Sequence, residues 1–420
     1  GRPAGLHDLH AAPDALGYFG QLQVPGNPSA VSATCMLTGK ALFDELGGFD
    51  EEKLAEGYSD VDYCLKSWQA GRRVVWTPFA LLLQEHMTEP PRAGDDDEDA
   101  DADSIQRTWH LPTVAEQAMF ERWLDRIAFD PAYNRNLSLT AGAYEIEIAP
   151  ALTWDPESRP LPRVLAHTGD RHGCGEYRIM APMRALLAQG RVQGWETGYY
   201  LTVPELARMA PDSLVLQRQV TPKHIMLMDS YFAHSKAFRV FELDDLMTNI
   251  QISNEARQGY QAKDLVKRFR QVLDRCDRFV VSTDYLAEEY RKYKREIVVA
   301  PNTIERAKWG DFRPARRAGR KPRVGWAGSL SHVGDLALVA DVVKALKDEV
   351  EWVFFGLCPE GVRPLVEYHA AVPIEQYPAR LASLNLDLAL APLEDVPCNR
   401  SSLPMPPSVS EDLDSRRHDG

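Results

Sequence analysis

The sequence has no long hydrophobic run, no closely spaced cysteines and no excess of basic residues. No apolar stretch approaches the roughly 18 residues of a membrane span, and Gly1–Ala4 shows no signal-peptide core. The six cysteines form no Cys-x-x-Cys pair, which gives no sign of a zinc ribbon or a disulfide framework. The net charge of -13 argues against nucleic acid as a partner, because phosphate backbones need a basic face. These absences predict a cytoplasmic protein with at most peripheral contact with the inner face of the membrane.

The composition is that of folded, multidomain protein. A chain of 420 residues exceeds the size of one ordinary core, and its 44% hydrophobic and 26% charged residues are typical of globular domains. We therefore expect two or three domains. The chain begins without methionine, within what its pattern predicts to be a domain, so we expect an upstream part.

Residues 1–94 are predicted to be a partial α/β module. A short helix containing Phe43 is expected to end at Gly47 and Gly48, a second helix covers 60–69, and a strand covers 73–76. The acidic run 95–103 repels itself, so residues 95–112 are predicted to be an exposed linker.

The rest of the chain alternates between strands and helices. Residues 113–160 are predicted to contain a connecting helix over 113–128 and a linker. Residues 161–312 and 313–400 then form two doubly wound, Rossmann-like halves with parallel sheets, the second one incomplete, with helix 335–347 in it. Residues 401–420, rich in Pro, Ser and Asp, are predicted to be unstructured. The predicted fold class is α/β throughout.

The first module carries a recognisable set of motifs. They are Leu46-Gly47-Gly48-Phe49-Asp50-Glu51, Ser59-Asp60-Val61-Asp62 and Gln84-Glu85-His86-Met87. This pattern resembles the acceptor half of family 2, GT-A type glycosyltransferases. The resemblance implies that Asp60 is the catalytic base and that His86 helps to hold a divalent cation, Mn²⁺ or Mg²⁺. Asp60 alone, at the head of a helix, equally fits a capping role.

The sequence departs from that family in two ways. Ser59 stands where a glutamate is usual. The nucleotide-binding half, with its Asp-x-Asp motif, is not among these residues. We therefore expect that residues 1–110 do not transfer sugar on their own.

The second module carries five further motifs. They are Gly173-Cys174-Gly175-Glu176-Tyr177-Arg178, Phe241-Glu242-Leu243-Asp244-Asp245-Leu246, Val281-Ser282-Thr283-Asp284-Tyr285-Leu286, Ala300-Pro301-Asn302-Thr303 and Val324-Gly325-Trp326-Ala327-Gly328-Ser329-Leu330-Ser331-His332. They resemble a GT-B type glycosyltransferase of bacterial polysaccharide assembly. No cofactor is evident for this module.

The GT-B resemblance implies two sets of site residues. The acceptor cleft would be formed by Gly173, Gly175, Tyr177 and Arg178. The donor would be bound by Gly328, Ser329, His332 and Asp335. Simpler alternatives stay open: His332 as a surface residue near a cap, Asp244 and Asp245 as a strand-ending turn, and Tyr177 with Arg178 as packing residues.

The end of the second module departs from the family it resembles. Asn399 and Arg400 are followed by 401–407, in which successive prolines exclude the helix that the family uses to hold the donor. We therefore expect weak turnover or none.

The resemblances together imply a glycosyltransferase that moves a sugar from a nucleoside diphosphate sugar to a glycan or lipid-linked glycan of a growing cell-surface polysaccharide of O-antigen type. The alternative is a non-catalytic remnant that binds carbohydrate or nucleotide, or a scaffold. A Rossmann dehydrogenase is disfavoured, because no Gly-x-Gly-x-x-Gly with a downstream acidic residue opens either half.

Overall fold

A computed structural model describes residues 15–80, 111–141, 144–155, 157–247, 262–310, 321–328 and 333–395. The chain divides into two compact units. The first comprises Gly1–Arg163, Tyr199–Asp212 and Met226–Ala237. The second comprises Val164–Gly198, Ser213–Ile225 and Phe238–Gly420.

The helices and strands are numbered in chain order. The helices are α1 (Lys40–Glu45), α2 (Ser59–Gln69), α3 (Val114–Ala128), α4 (Gly173–Gly175), α5 (Ala181–Ala188), α6 (Val203–Met209), α7 (Pro222–His234), α8 (Ala262–Arg275), α9 (Asp284–Tyr290), α10 (Arg306–Trp309), α11 (Val333–Ala337), α12 (Ala340–Ala345) and α13 (Tyr377–Ser383). The strands are β1 (Arg163–His167), β2 (Gln193–Thr197), β3 (Ser213–Gln217), β4 (Phe238–Leu243), β5 (Arg278–Val281), β6 (Ile297–Val299), β7 (Arg323–Gly328), β8 (Glu351–Gly356), β9 (Glu367–His369) and β10 (Leu388–Leu390).

Helices dominate the described part of the first unit. The amphipathic α3 begins at a capping box in which Thr113 and Glu116 satisfy each other's backbone N–H groups. It packs against α6, and buried apolar side chains of α2, α3 and α6 form one core. At the end of α3 the buried Arg208 of α6 donates to the carbonyl of Ala128 at 2.8 Å. The last turn of α3 is thereby fixed to α6.

The larger sheet of the second unit has six strands in the order β2-β1-β3-β4-β5-β6. The pairs β1–β3, β3–β4, β4–β5 and β5–β6 are parallel. Strand β1 therefore lies between β2 and β3. This is the flavodoxin-like order, in which the strand order reverses between β1 and β3.

The smaller sheet has four strands in the order β10-β7-β8-β9, all in parallel pairs. Read from its other edge, this is the order of the first four strands of a Rossmann sheet, with the reversal between β7 and β10. The prediction of an α/β fold with two doubly wound, parallel halves is confirmed.

The two sheets are fixed in the same way at their amino ends. In the larger sheet, Asp212 accepts a hydrogen bond from the backbone N–H of Arg163 at 2.7 Å and donates its own N–H to the Arg163 carbonyl at 2.8 Å. In the smaller sheet, Asp387 makes the same two bonds with Arg323, at 2.9 and 2.8 Å. Each pair, which we call an amino-end clamp, joins the two strands that flank the reversal of strand order.

Two predicted elements differ from the structure. The helix expected over 335–347 is divided into α11 and α12, because the N–H groups of Leu338 and Val339 bond three residues back, in a tight turn. The strand expected over 73–76 is reduced to one antiparallel bridge between Gly26 and Trp76, since no longer partner strand lies beside it in the described residues.

None of the helices that the structure describes combines the length and hydrophobicity that a membrane span requires.

Candidate functional site

The carboxyl ends of β1, β3 and β4 form the first candidate site. Ligands of open parallel sheets bind outside the carboxyl ends of the strands, where the strand order reverses. Charged side chains follow these three strands: Asp170 after β1, Arg218 after β3, and Asp244 with Asp245 after β4. We call these four residues the edge cluster.

Arg218 is the centre of the edge cluster. Its Nε donates to Oδ1 of Asp244 at 2.9 Å, and its Nη2 donates to Oδ2 of Asp245. Its Nη1 lies 3.8 Å from Oδ2 of Asp170. Burial disfavours the charged guanidinium, but the carboxylates of Asp244 and Asp245 outweigh burial and raise the pKa of Arg218. The backbone of Arg218 has φ 55°, a conformation that non-glycine residues rarely adopt and that clusters at functional sites.

The loop after β1 is held against the edge by Gln217, a fully buried residue of β3. Its Oε1 accepts from the N–H of Gly169 at 2.9 Å, and its Nε2 donates to the carbonyl of Cys174 at 3.1 Å. Cys174, Asp244 and Asp245 consequently each offer a ligand atom within 4.8 Å of the others. A thiol and two carboxylates can hold a divalent cation. Arg218, however, already supplies positive charge to both carboxylates, and burial, followed by Asp244, raises the pKa of the Cys174 thiol.

A buried ion pair lies beside the edge cluster. Glu242, in β4, accepts a hydrogen bond from Nε of Arg178 at 2.6 Å, and both side chains are about 95% buried. Arg178 also donates to the carbonyl of Ala300 at 2.5 Å and to Oδ1 of Asn302 at 3.0 Å. None of the residues that the structure describes donates a hydrogen bond to the Oε2 atom of Glu242. Burial raises the pKa of Glu242 to about 7, with Arg178 opposing the rise and Asp244 adding to it.

The predicted acceptor residues occupy different positions around this edge. Arg178 belongs to the buried ion pair. Gly173 faces open space, since a Cβ atom there would meet nothing within 4 Å. Gly175 instead packs against its own loop, because a Cβ atom would collide with the carbonyl of Asp170. Tyr177 lies in the π-helical turn Glu176–Met180, and burial raises the pKa of its phenol. Their acceptor roles stay predictions.

The second candidate site is the carboxyl edge of β7 and β10. Here glycines lie beside the carboxylates of Asp335 and Glu394. A Cβ atom at Gly356 would collide with the carbonyl of Gly328, and one at Gly334 would collide with the Glu394 carboxylate. Asp335, which is buried, accepts a hydrogen bond from the N–H of Glu394 at 2.8 Å, and this bond joins α11 to the segment after β10. The structure thus brings the predicted donor residues Gly328 and Asp335 to one edge, and their donor roles stay predictions.

Asp60, the predicted base, heads α2 in the first unit. Its Oδ2 accepts from the N–H of Ala33 at 2.9 Å and its Oδ1 from the N–H of Val61 at 2.8 Å. The bond from Val61 satisfies one free N–H of the first turn of α2, whereas the N-cap residue is Tyr58, whose side chain makes no capping bond. The fully buried carboxylate nearby is Asp62, which is matched by Lys66 at 2.7 Å, Arg122 at 3.1 Å and Trp123 at 2.8 Å. The catalytic role of Asp60 stays a prediction.

Several predicted positions lie outside the described residues. They are His86, Ser329, His332, the acidic run 95–103 and the segment 396–420.

Sequence reasoning missed Gln217, Arg218 and Glu242 as site residues. Only Glu242 could have been found from the sequence. It is an acidic residue between the apolar Phe241 and Leu243 of a predicted buried strand, where a charged side chain is unusual. Gln217 and Arg218 carry no motif, and only the pairing of β3 between β1 and β4 brings them to the edge.

No protein-family model matches this sequence. The chain is similar to an uncharacterized protein, y4gI, of Sinorhizobium fredii, with 35% identity over 139 residues. That similarity covers 33% of this chain and spans 14% of the relative's length.

Similar solved structures include three glycosyltransferases. The apo form of the lipopolysaccharide outer core galactosyltransferase WaaB is 8% identical, with a TM-score of 0.33 over 54% of this chain and 72% of WaaB. An alpha-glucosyltransferase in complex with UDP and DNA is 11% identical, with a TM-score of 0.32 over 49% and 59%. A T4 phage BGT mutant in complex with UDP-glucose is 12% identical, with a TM-score of 0.34 over 56% and 74%. Similarity this loose does not assign a function to this chain.

Proposed function

We propose that residues 161–400 descend from, and in part retain, a glycosyltransferase that moves a sugar from a nucleoside diphosphate sugar to a glycan or lipid-linked glycan. The acceptor would belong to a growing cell-surface polysaccharide of O-antigen type, and the reaction would take place in the cytoplasm, at the inner face of the membrane. Residues 1–94 would be a GT-A-like acceptor half that does not act alone.

The observation that carries this proposal is the succession of two doubly wound parallel sheets in one unit, each with its own reversal of strand order. Each reversal is the place where such a sheet can bind a ligand, so two sheets offer two candidate edges for the two substrates of a transfer reaction. Three of the motifs that resemble GT-B enzymes lie at these ends of the strands in the described residues, namely 173–178 after β1, 241–246 at the end of β4 and 324–328 in β7. The fold alone fits many chemistries, so the assignment depends on the residues at the edges.

The edges differ in a way that suits the two substrates. At the glycine-lined edge of β7 and β10, Gly356 and Gly328 pack backbone to backbone, so a diphosphate there would meet backbone groups rather than long side chains. The charged edge of β1, β3 and β4 offers hydrogen-bond acceptors for sugar hydroxyl groups. Glu242, with a pKa of about 7, has the proton affinity that a group exchanging a proton with an acceptor hydroxyl would need.

A second candidate function, non-catalytic binding, is favoured by two observations. Both carboxylate oxygens of Asp60 are already engaged by backbone N–H groups. The prolines at 404, 406 and 407 likewise disfavour a donor-binding helix there. Under this alternative the chain binds nucleotide or glycan but turns over little or nothing.

Calorimetric titration with UDP, GDP and dTDP, with and without Mn²⁺, tests the proposal. We expect one nucleotide to bind, and Gly328→Ala to weaken its binding at least tenfold, because a Cβ atom there would lie 2.6 Å from the Trp326 ring and shift the edge. Gly361→Ala is the matched control, since a Cβ atom there meets nothing within 4 Å.

His332→Ala provides a second test if Gly328→Ala melts early in a circular dichroism experiment. Failure of all three nucleotides to bind a folded chain would overturn the assignment of the donor edge.

A further inference from the structure

A surface cavity lies along α2 and α3 in the first unit. Its volume of about 470 Å³ falls within the roughly 300 to 1,000 Å³ of small-molecule sites. Trp68, near the end of α2, and Trp123, in α3, contribute aromatic rings to its lining. Trp68 is 47% exposed, and Trp123 is fixed because its Nε1–H donates to Asp62 at 2.8 Å. The cavity therefore offers aromatic surface to a ligand from solvent.

Arg126 of α3 adds a guanidinium group to the same lining. Its Cζ atom lies 3.6 Å from the centroid of a Trp68 ring, so the guanidinium group stacks on the indole. Within the described ranges, no residue accepts a hydrogen bond from this group or forms an ion pair with it. Its Nε is covered by protein, so the donors open to a ligand are those of Nη1 and Nη2. Stacking thus holds in place a flat group whose outer donors are unused.

The charges around the cavity are nearly balanced. Arg122, which also lines it, is already paired with the carboxylates of Asp50 and Asp62. Glu121 and Asp125 line the cavity as well, and both are exposed. An anion would meet these two carboxylates, and a cation would meet the stacked guanidinium group. The lining therefore favours an uncharged ligand that both donates and accepts hydrogen bonds.

We propose that this cavity binds an uncharged glycan. The C–H groups on one face of a sugar ring would lie against the exposed part of the Trp68 indole, whose face carries partial negative charge. The sugar hydroxyl groups would accept hydrogen bonds from Nη1 and Nη2 of Arg126 and donate to Asp125. All of these residues belong to the first unit. The inference therefore goes beyond the proposed function: it assigns to the first unit a glycan-holding site that needs no catalysis.

Saturation-transfer NMR tests the inference with three neutral trisaccharides, maltotriose, cellotriose and mannotriose, and with the acidic trigalacturonate. We expect saturation transfer to at least one neutral trisaccharide, and at least tenfold weaker binding of trigalacturonate. Trp68→Ala should weaken the neutral trisaccharide at least tenfold, because the aromatic surface is lost. Trp68→Phe should restore most of the affinity, because it keeps an aromatic face. Arg126→Met keeps the apolar stem but removes the donors, and should weaken binding at least fivefold.

Phe79→Ala and Arg135→Met are the matched controls in the first unit. The Phe79 side chain is 84% exposed, and Arg135 pairs with Asp155, so neither belongs to the cavity lining. Both variants should bind as the unmodified chain does, and circular dichroism establishes that every variant is folded. Unchanged binding in both Trp68→Ala and Arg126→Met would overturn the inference. So would equal binding of trigalacturonate, or no binding of any neutral trisaccharide by a folded chain.

The two proposals fail separately. UDP, GDP and dTDP report on the β7 and β10 edge, whereas the Trp68 and Arg126 variants report on the cavity of the first unit. Nucleotide binding without trisaccharide binding would remove the cavity site and leave the proposed donor edge intact. Trisaccharide binding that depends on Trp68, without nucleotide binding, would do the reverse.

Discussion

The two parallel sheets are alike at the amino ends of their strands and differ at the carboxyl ends. Each begins with an arginine that is fixed by an aspartate on the strand across the reversal, with nearly equal hydrogen-bond lengths. At the opposite ends, one sheet presents an arginine among carboxylates, and the other presents glycines whose backbones touch. The amino ends therefore contribute to stability, and the carboxyl ends carry the chemical difference between the two candidate sites.

The difference extends to the two arginine side chains. Arg163 is fully buried and donates to the carbonyls of Met209, Asp155 and Ser158, and burial lowers its pKa. The guanidinium of Arg323 donates to the carbonyl of Leu384 and also meets two carboxylates, from Glu351 and Glu367, and its hydrogen bond to Glu367 is the main cause of its raised pKa. The same position thus serves backbone capping in one sheet and ion pairing in the other.

The largest expected effect concerns the glycine-lined edge. Gly356→Ala should lower the free energy of unfolding by about 4 kcal/mol, because φ is +95° there and the new Cβ atom would collide with the Gly328 carbonyl. Urea denaturation measures this change. Gly361→Ala, in open space, should change stability by less than about 0.5 kcal/mol. Similar small costs for both variants would show that the backbones are not in contact.

Glu242, at the charged edge, should make the free energy of unfolding depend on pH. Glu242 has a folded pKa of about 7 against an ordinary value of 4.5. Below about pH 4.5 the carboxyl group is protonated in both states and its contribution is fully present. As the pH rises through 7, the unfolded chain has lost the proton first, so stability falls by up to about 3 kcal/mol.

Glu242→Gln removes this titrating group. The difference in unfolding free energy between pH 5 and pH 8 should shrink accordingly in the variant, as followed by urea denaturation at both pH values. An unchanged difference would place the titration elsewhere.

The two arginines should not be equivalent on removal. Arg163→Met leaves the buried carbonyl of Met209 without its donor, together with the more exposed carbonyls of Asp155 and Ser158, and should cost about 2 kcal/mol. Arg323→Met should cost about 1 kcal/mol, mainly from the buried bond to the Leu384 carbonyl, since the Glu351 and Glu367 side chains are 34% and 47% exposed and can be hydrated. Equal losses of stability would contradict the distinction between capping and ion pairing.

The smallest expected difference is between the two clamps. Asp212→Ala and Asp387→Ala each remove one acceptor for an arginine N–H, so both should cost about 1 to 2 kcal/mol. Asp212 also pairs with Arg159, but that partner is 37% exposed and should add little. Urea denaturation of both variants measures this change in the free energy of unfolding. A difference much larger than about 1 kcal/mol between them would show that the two clamps do not contribute equally to stability.

Much of the fold follows from local pattern. Apolar runs such as Arg278–Val281 alternate with amphipathic helices, and this alternation was enough to predict two parallel, doubly wound sheets. The division of 335–347 into two helices was not predictable in this way, because its tight turn depends on where Leu336 and Val343 pack in the core. The prediction of a strand over 73–76 was wrong for a related reason, since a strand requires a partner strand that the local sequence does not reveal.

The candidate site was only partly accessible to sequence. Glycines after predicted strands pointed to Gly173 and Gly328, whose backbone positions follow from the strand pattern. Arg218 and Gln217 depend on which strands become neighbours, and the order β1-β3-β4 is a property of the whole sheet. The packing of Gly175 against its own loop likewise depends on the path of the chain after β1.

The amino-end clamps also bear on how the sheets fray. Each clamp adds a side-chain hydrogen bond to the first backbone bond between the strands on the two sides of the reversal, so it opposes fraying at that end of the sheet. Asp212 and Asp387 are both exposed, so without the clamps these terminal amide hydrogens would be among the first to exchange with solvent. Hydrogen exchange at the N–H groups of Arg163 and Arg323, which donate to the two aspartates, therefore reports on the clamps directly.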